Sequence, residues 1–123
     1  APGVSIVSTI PDDHQMALSG TSQAAPFVAG LAAHVKDINA DLSPIEIKTL
    51  LMQTVDRLES LKDKVKAGGV VNEKRALHAA ELSLSKPLAQ AIREANSIIP
   101  NGVNDSVVPR IENSVWIPVP TFY

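Results

Sequence analysis

Residues 23–38 limit what this chain can fold into more than any other stretch. Apolar side chains recur at positions 24, 28, 31, 35 and 38, which is helical spacing. The first half, A-A-P-F-V-A-G-L-A-A, is apolar or small on every face. A helix of this kind is buried on all sides, and a chain of 123 residues can hardly surround it. The sequence therefore predicts a buried helix with neighbours in another part of a larger protein.

Strand and helix signals around this helix predict an α/β fold. Val4 to Ile10 and Met16 to Leu18 favour strands, and Pro11-Asp12-Asp13 favours a turn between them. Ser43-Pro44-Ile45-Glu46 predicts a capped helix start. This second helix should lie on the surface, with one apolar stripe that comprises Ile47, Leu50, Leu51, Val55 and Leu58.

The C-terminal half predicts further short elements and then a tail. Val70-Val71 favours a strand, and Asn72 is suited to cap a third helix. Pro87 to Ile99 predicts a fourth helix, whereas the charges from Asp56 to Lys66 indicate a solvated helical face. The segment from Pro100 to Tyr123 contains four prolines and predicts an extended tail.

Composition excludes several function classes. The net charge is -2 and no basic stretch could follow a phosphate backbone, which argues against nucleic acid as a partner. No apolar run reaches the roughly 20 residues that span a bilayer. Cysteine is absent, so disulfides and thiolate metal sites are excluded. With 45% hydrophobic and 20% charged residues, the chain is typical of globular proteins.

Ser22 is the residue with the clearest sequence signal for catalytic chemistry. It lies in the stretch G-T-S-Q-A-A-P-F-V-A-G, residues 20–30, where a tight glycine turn enters the apolar helix. Such a turn exposes the hydroxyl. A helix N-terminus supplies unpaired N–H groups and about half a positive charge. Both stabilise an oxyanion that forms beside the serine, so the pattern predicts a nucleophile.

This stretch resembles the nucleophile motif of the subtilisin-like serine proteases, G-T-S-M-A-x-P-H-V-x-G, at nine of eleven positions. Three further motifs of the family have counterparts in the same order. They are Ala1-Pro2-Gly3 with Ile6 and Ser8-Thr9, Leu42-Ser43-Pro44 with Ile47-Lys48, and Gly69-Val70-Val71-Asn72 with Ala76-Leu77. The resemblance covers about residues 1 to 82. The chain departs from the motif at Gln23, where methionine is usual, and at Phe27, where histidine is usual.

The resemblance implies a serine endopeptidase that acts on peptide or protein substrates through an acyl-enzyme, with Ser22 as nucleophile and its own backbone N–H as one oxyanion donor. It implies residues 1–82 as the C-terminal part of a parallel-sheet catalytic domain with flanking helices, and residues 83–123 as a helical and extended extension. The family's His, Asp and oxyanion Asn precede the serine segment and have no counterpart here. We therefore expect an N-terminal part of the same protease as partner, no activity from this chain alone, and a secreted or extracytoplasmic location.

Non-catalytic interpretations of the chain and of its candidate residues are also open. Ser22 could be an ordinary helix N-cap, and the chain could be a non-catalytic assembly module derived from a subtilase. We expect His14 to be an exposed turn residue, His34 to be partly buried, and His78 to lie on a helix surface. These three histidines are too widely spaced for a metal site.

No cofactor is evident in the sequence. Calcium is possible in the complete enzyme but cannot be assigned here, and ordinary turn chemistry explains the candidate oxygen ligands better. Thr21 is expected to stabilise its turn. Trp116 and Tyr123 could anchor the tail to the protein body or to another chain. The candidate calcium ligands are Asp12, Asp13, Asn101, Asn104 and Asp105.

Overall fold

The computed structural model describes residues 1–103, and this part combines helices with small sheets, as the predicted α/β class requires. A short 3₁₀ turn, Glu59–Leu61, lies between the third and fourth strands. In chain order the elements are β1 (Ile6–Ile10), β2 (His14–Leu18), α1 (Thr21–Ile38), α2 (Pro44–Gln53), β3 (Asp56–Arg57), β4 (Gly69–Val70), α3 (Glu73–Leu82) and α4 (Leu88–Ile98).

Both sheets within residues 1–103 are two-stranded and antiparallel, so the predicted parallel sheet is not found there. β1 pairs with β2 from Ile6 opposite Leu18 to Ile10 opposite His14, and β3 pairs with β4. The turn at residues 11–13 is too short for anything but a hairpin, because parallel strands need a crossover of a dozen or more residues. Asp12 and Asp13 adopt positive φ in this turn, which aspartate tolerates better than most residues.

The hydrophobic core lies among the four helices. α1 supplies Leu31 and Val35, both from its second half. None of residues 21–30 is buried within the described part of this chain, so burial of this helix by another part of a larger protein stays a prediction. The rest of the chain packs against α1 from Val28 onward, and the residues before Val28 do not belong to the core. The remaining buried members of this core are Leu42, Leu50, Leu51, Ala76, Ala79, Ala80, Ile92 and Ala95.

α2 begins as its sequence predicts. The Ser43 hydroxyl accepts the Glu46 N–H at 3.2 Å, and the Glu46 carboxylate accepts the Ser43 N–H at 2.7 Å. The hydrogen bond that the Glu46 carboxylate accepts from the Ser43 backbone N–H is the main cause that lowers the pKa of Glu46, and the Ser43 side chain lowers this pKa further. The helix ends at Gln53, five residues before the end of the predicted stripe at Leu58. At its end the Thr54 hydroxyl donates to the carbonyl of Leu50.

A buried carboxylate explains why the helix stops there. Asp56 is only 2% exposed. It accepts the side-chain N–H of Asn72 at 2.8 Å and the backbone N–H groups of Gly102 and Val103 at 2.8 and 3.1 Å. Arg75 lies 3.4 Å from the same carboxylate. The predicted solvated helical face from Asp56 to Lys66 is therefore wrong. This stretch forms β3, a 3₁₀ turn and further turns instead of an α-helix, and the tertiary partners hold Asp56 in the interior.

The Arg75 guanidinium extends this network. It donates to the carbonyl of Val55 at 2.9 Å, to the carbonyl of Ile99 at 2.7 Å and to the side-chain oxygen of Asn101 at 3.1 Å. We call Asp56, Asn72 and Arg75, with the backbone that they bind, the Asp56 network. It joins the end of α2, the start of α3 and the segment that follows α4.

The two C-terminal helices form as predicted. Asn72 caps α3 by accepting the Arg75 N–H at 2.9 Å. α4 packs against α3, and the alanines on both helices allow their backbones to approach closely. The boundary between residues 82 and 83 stays a prediction. The tail residues Trp116 and Tyr123 lie outside the described residues.

We predict that Asp56→Ala lowers the free energy of unfolding by about 3–5 kcal/mol, because it leaves the buried Arg75 guanidinium without its counter-charge. Urea unfolding of the protein together with its expected N-terminal part, followed by circular dichroism, measures the change. Lys62→Ala is the control, because its ion pair with Glu59 is solvent-exposed and such pairs contribute little. Equal stability of the Asp56→Ala and Lys62→Ala variants would contradict the role of the network.

Candidate functional site

Ser22 is the second residue of α1, and it is exposed. The residue at the N-cap is Gly20, with φ 157° and ψ 170°. Only glycine adopts this backbone region readily. The sharp turn at Gly20 brings the chain from β2 directly into the helix, so the Ser22 side chain stands at the open end of α1.

A second glycine braces this turn. The Gly20 N–H donates to the carbonyl of Gly3 at 2.7 Å, and a Cβ added to Gly3 would lie 2.8 Å from the Gly20 carbonyl oxygen. The Ser5 N–H donates to the Ser19 hydroxyl at 2.8 Å. In the sequence, Gly3 is recognisable only as part of the Ala1-Pro2-Gly3 motif. Its contact with Gly20 explains why a side chain does not fit there.

The N-terminus of α1 carries no side-chain cap, and no acidic residue lies in its first turn. The Ser22 N–H is among the first four of the helix, which lack intrahelical acceptors. Ser43 provides a contrast within the same chain, because its hydroxyl is engaged in the cap of α2. The positive end of the α1 dipole therefore remains available to an anion beside Ser22.

The Ser22 hydroxyl donates to the side-chain oxygen of Gln23 at 2.9 Å. In the sequence, Gln23 is visible only as a departure from a motif, and its hydrogen bond with Ser22 was not predicted. The only signal was the exchange of a thioether for a carboxamide, which is a much better hydrogen-bond acceptor.

The three histidines occupy separate places. His14 is exposed, as predicted, at the turn end of the hairpin. Leu18, at the other end of β2, follows four positions later, which is about 13 Å along the strand. His34 follows Ser22 by twelve residues on the same helix, about 18 Å away. It is exposed, and the prediction of partial burial is wrong because α1 is covered on one side only. His78 is half-buried and lies 3.6 Å from Glu81.

Residues 1–103 contain no group of three or more His, Asp or Glu side chains that could hold a metal ion. Among the proposed calcium ligands, the Asn101 side-chain oxygen accepts from Arg75 instead. Asn104 and Asp105 lie outside the described residues. No helix in this part of the chain is long and apolar enough to cross a membrane.

Apolar side chains are exposed on α1 after Ser22 and at β1. Phe27, one turn further along α1, is 39% exposed. Val4 and Val7, before and within β1, are 78% and 65% exposed. The residues around Phe27 on α1 are small, and Ala25, Pro26, Ala29 and Gly30 are also exposed. We refer to residues 25–30 as the uncovered turns of α1.

Comparison with known proteins gives consistent matches. The model of the Subtilase family matches residues 1–80. Subtilisin-like protease 1 of Plasmodium vivax is 39% identical over 87 residues, which are 71% of this chain and 14% of that protein. Subtilisin BL of Lederbergia lenta is 41% identical over 76 residues, 62% of this chain and 28% of that protein.

Subtilisin-like protease 3 of Plasmodium falciparum is 39% identical over 72 residues, 58% of this chain and 9% of that protein. The matched part of the chain thus spans between about a tenth and somewhat over a quarter of the length of these three relatives. The family model, in contrast, covers well over half of this chain and includes the whole Ser22 turn. The chain therefore belongs to the subtilase family of serine proteases.

Proposed function

We propose that this chain supplies the nucleophile of a subtilisin-like serine endopeptidase, with Ser22 in that role. The observation that carries the proposal is the exposed Ser22 hydroxyl at the uncapped N-terminus of α1, directly after the Gly20 turn. Neither a buried serine nor a capping serine such as Ser43 would be available to a substrate. Membership of the subtilase family supports the same assignment.

In the proposed reaction the Ser22 oxygen attacks the carbonyl carbon of a peptide bond. The hydroxyl proton passes to a histidine base and then to the leaving amine, and water later hydrolyses the acyl-enzyme. The carbonyl oxygen becomes negative in the tetrahedral intermediate. The Ser22 N–H donates a hydrogen bond to it, and the field of the α1 N-terminus stabilises the charge.

The base and its partners must come from elsewhere in the protein. His34 lies about 18 Å from Ser22 along α1, His14 is at the turn end of β2, and His78 lies beside Glu81. We propose that an N-terminal part of the same protease supplies the histidine, the aspartate and an asparagine that completes the oxyanion hole. The same part would cover the uncovered turns of α1, because so much apolar surface around Phe27 is unfavourable in water.

The remaining features of the proposal follow from the family. The upstream part would also contribute the strands of a parallel sheet, which residues 1–103 lack. Residues 1–82 would complete this catalytic domain and residues 83–123 would extend it. A secreted or extracytoplasmic location and peptide or protein substrates fit the same proposal.

A non-catalytic assembly module is the second candidate. It is favoured by the hydrogen bond of the Ser22 hydroxyl, which in the described part goes to Gln23 and not to a histidine. The two candidates differ in one respect that can be measured, which is whether Ser22 becomes nucleophilic when the upstream part is present.

We predict that Ser22, and no other serine, reacts covalently with a sulfonyl fluoride or an organophosphate in the protein that includes the upstream part. The adduct forms there because the helix N-terminus stabilises the charge that develops during sulfonylation or phosphorylation. Peptide mapping by mass spectrometry after labelling locates the adduct.

Ser43 serves as the internal control, because it also begins a helix but its hydroxyl accepts the Glu46 N–H. Ser22→Ala should abolish labelling, whereas Ser43→Ala should leave it unchanged. An intact protein that never labels at Ser22 would contradict the protease assignment and favour the assembly module.

The 123-residue chain alone should hydrolyse no peptide substrate. Ser22 then has no base, no oriented imidazole and only part of an oxyanion hole. A sensitive fluorogenic peptide assay on the purified chain is the measurement. Turnover that disappears in the Ser22→Ala variant would disprove the need for an upstream part.

We also predict that the chain is not a stable monomer by itself. The uncovered turns of α1 and the exposed Val4 and Val7 should drive association with a second copy or with the upstream part. Light scattering combined with thermal unfolding tests this. A compact monomer that unfolds cooperatively at low concentration would be the opposite result.

A further inference from the structure

We infer that Gln23 is a positioning residue that holds the Ser22 hydroxyl in a resting orientation and thereby slows its acylation. The inference rests on the proposed function of Ser22. It assigns Gln23 a role in the rate of the reaction, and it makes the Ser22–Gln23 hydrogen bond a contact that must break before the nucleophile is activated.

Two features of the turn support this role. The Ser22 hydroxyl donates to the Gln23 side-chain oxygen at 2.9 Å. That oxygen also lies 2.9 Å from the position that a Cβ on Gly20 would occupy. The Gln23 carboxamide therefore folds back over the N-cap glycine, into space that exists because Gly20 has no side chain. The Gln23 N–H donates to the Gly20 carbonyl at 3.2 Å, which anchors the backbone of the same residue.

The physical effect is a competition for one proton. A serine hydroxyl has a single O–H donor. While it donates to Gln23 it cannot donate to an imidazole, so the base cannot remove the proton in that orientation. A net hydrogen bond of ordinary strength favours the resting orientation by a factor of about two to ten. The rate of acylation should be lower by about this factor than it would be without the acceptor.

Two substitutions separate this role from simple packing. Gln23→Met keeps an unbranched side chain of similar length and good helix propensity, but its thioether is only a weak acceptor. Gln23→Glu keeps the length and retains strong acceptor oxygens. In the protein that includes the upstream part, sulfonyl fluoride labelling of Ser22 is followed at increasing reagent concentrations. This design yields the maximal labelling rate and the apparent reagent affinity separately.

We expect Gln23→Met to raise the maximal labelling rate by about two- to tenfold with unchanged reagent affinity. Gln23→Glu should label at the wild-type rate or more slowly. A residue that only packs would not give a faster variant, because loosened packing misplaces the nucleophile.

Each outcome decides a different question. Equal or slower labelling of Gln23→Met, with a wild type that labels at Ser22, would overturn the role of Gln23 and leave the protease assignment intact. Faster labelling of both variants would also overturn it, because the acceptor would then not be the cause. Failure of all three proteins to label at Ser22 would contradict the proposed function and this role with it.

Discussion

The buried Asp56 carboxylate is the constraint on which the arrangement of the helices depends. A charge in the interior is stable only when it is paired and fully hydrogen-bonded. The partners of Asp56 come from α3, through Asn72 and Arg75, and from the backbone of Gly102 and Val103. Because these groups must meet at one point, they fix where α2 stops, how α3 starts and where the chain runs after α4.

Ser22 and Ser43 both lie at the start of a helix, and the position of each serine relative to the N-cap determines what its hydroxyl binds. Ser43 is the N-cap of α2, and its oxygen satisfies the Glu46 N–H. In α1 the N-cap is Gly20, and the serine lies two residues further on. Its hydroxyl is therefore left for Gln23, and the first N–H groups of α1 receive no side-chain cap. The glycine turn thus places Ser22 beyond the N-cap position, so its hydroxyl is not used to cap the helix.

The elements that were predicted correctly are those marked by residues close together in the sequence. Ser43 and Asn72 marked the starts of α2 and α3, because a cap requires only residues within one helical turn. The prediction failed at Asp56 and at His34. Each of these depends on what lies across the fold. An aspartate in a charged stretch gives no sign that it will meet Asn72 and Arg75, and an apolar helix gives no sign of which face its own chain can cover.

The sequence by itself determined the family, the position of the Ser22 turn and the helix caps, because these depend on residue types at short, fixed spacing. Tertiary structure alone decided the pairing of β3 with β4, the burial of Asp56 and the contact between Gly3 and Gly20. It also decided that α1 is covered at Leu31 and Val35 but open around Ser22. The reason is that burial and pairing join residues distant in the chain, and no local pattern records which of them will meet.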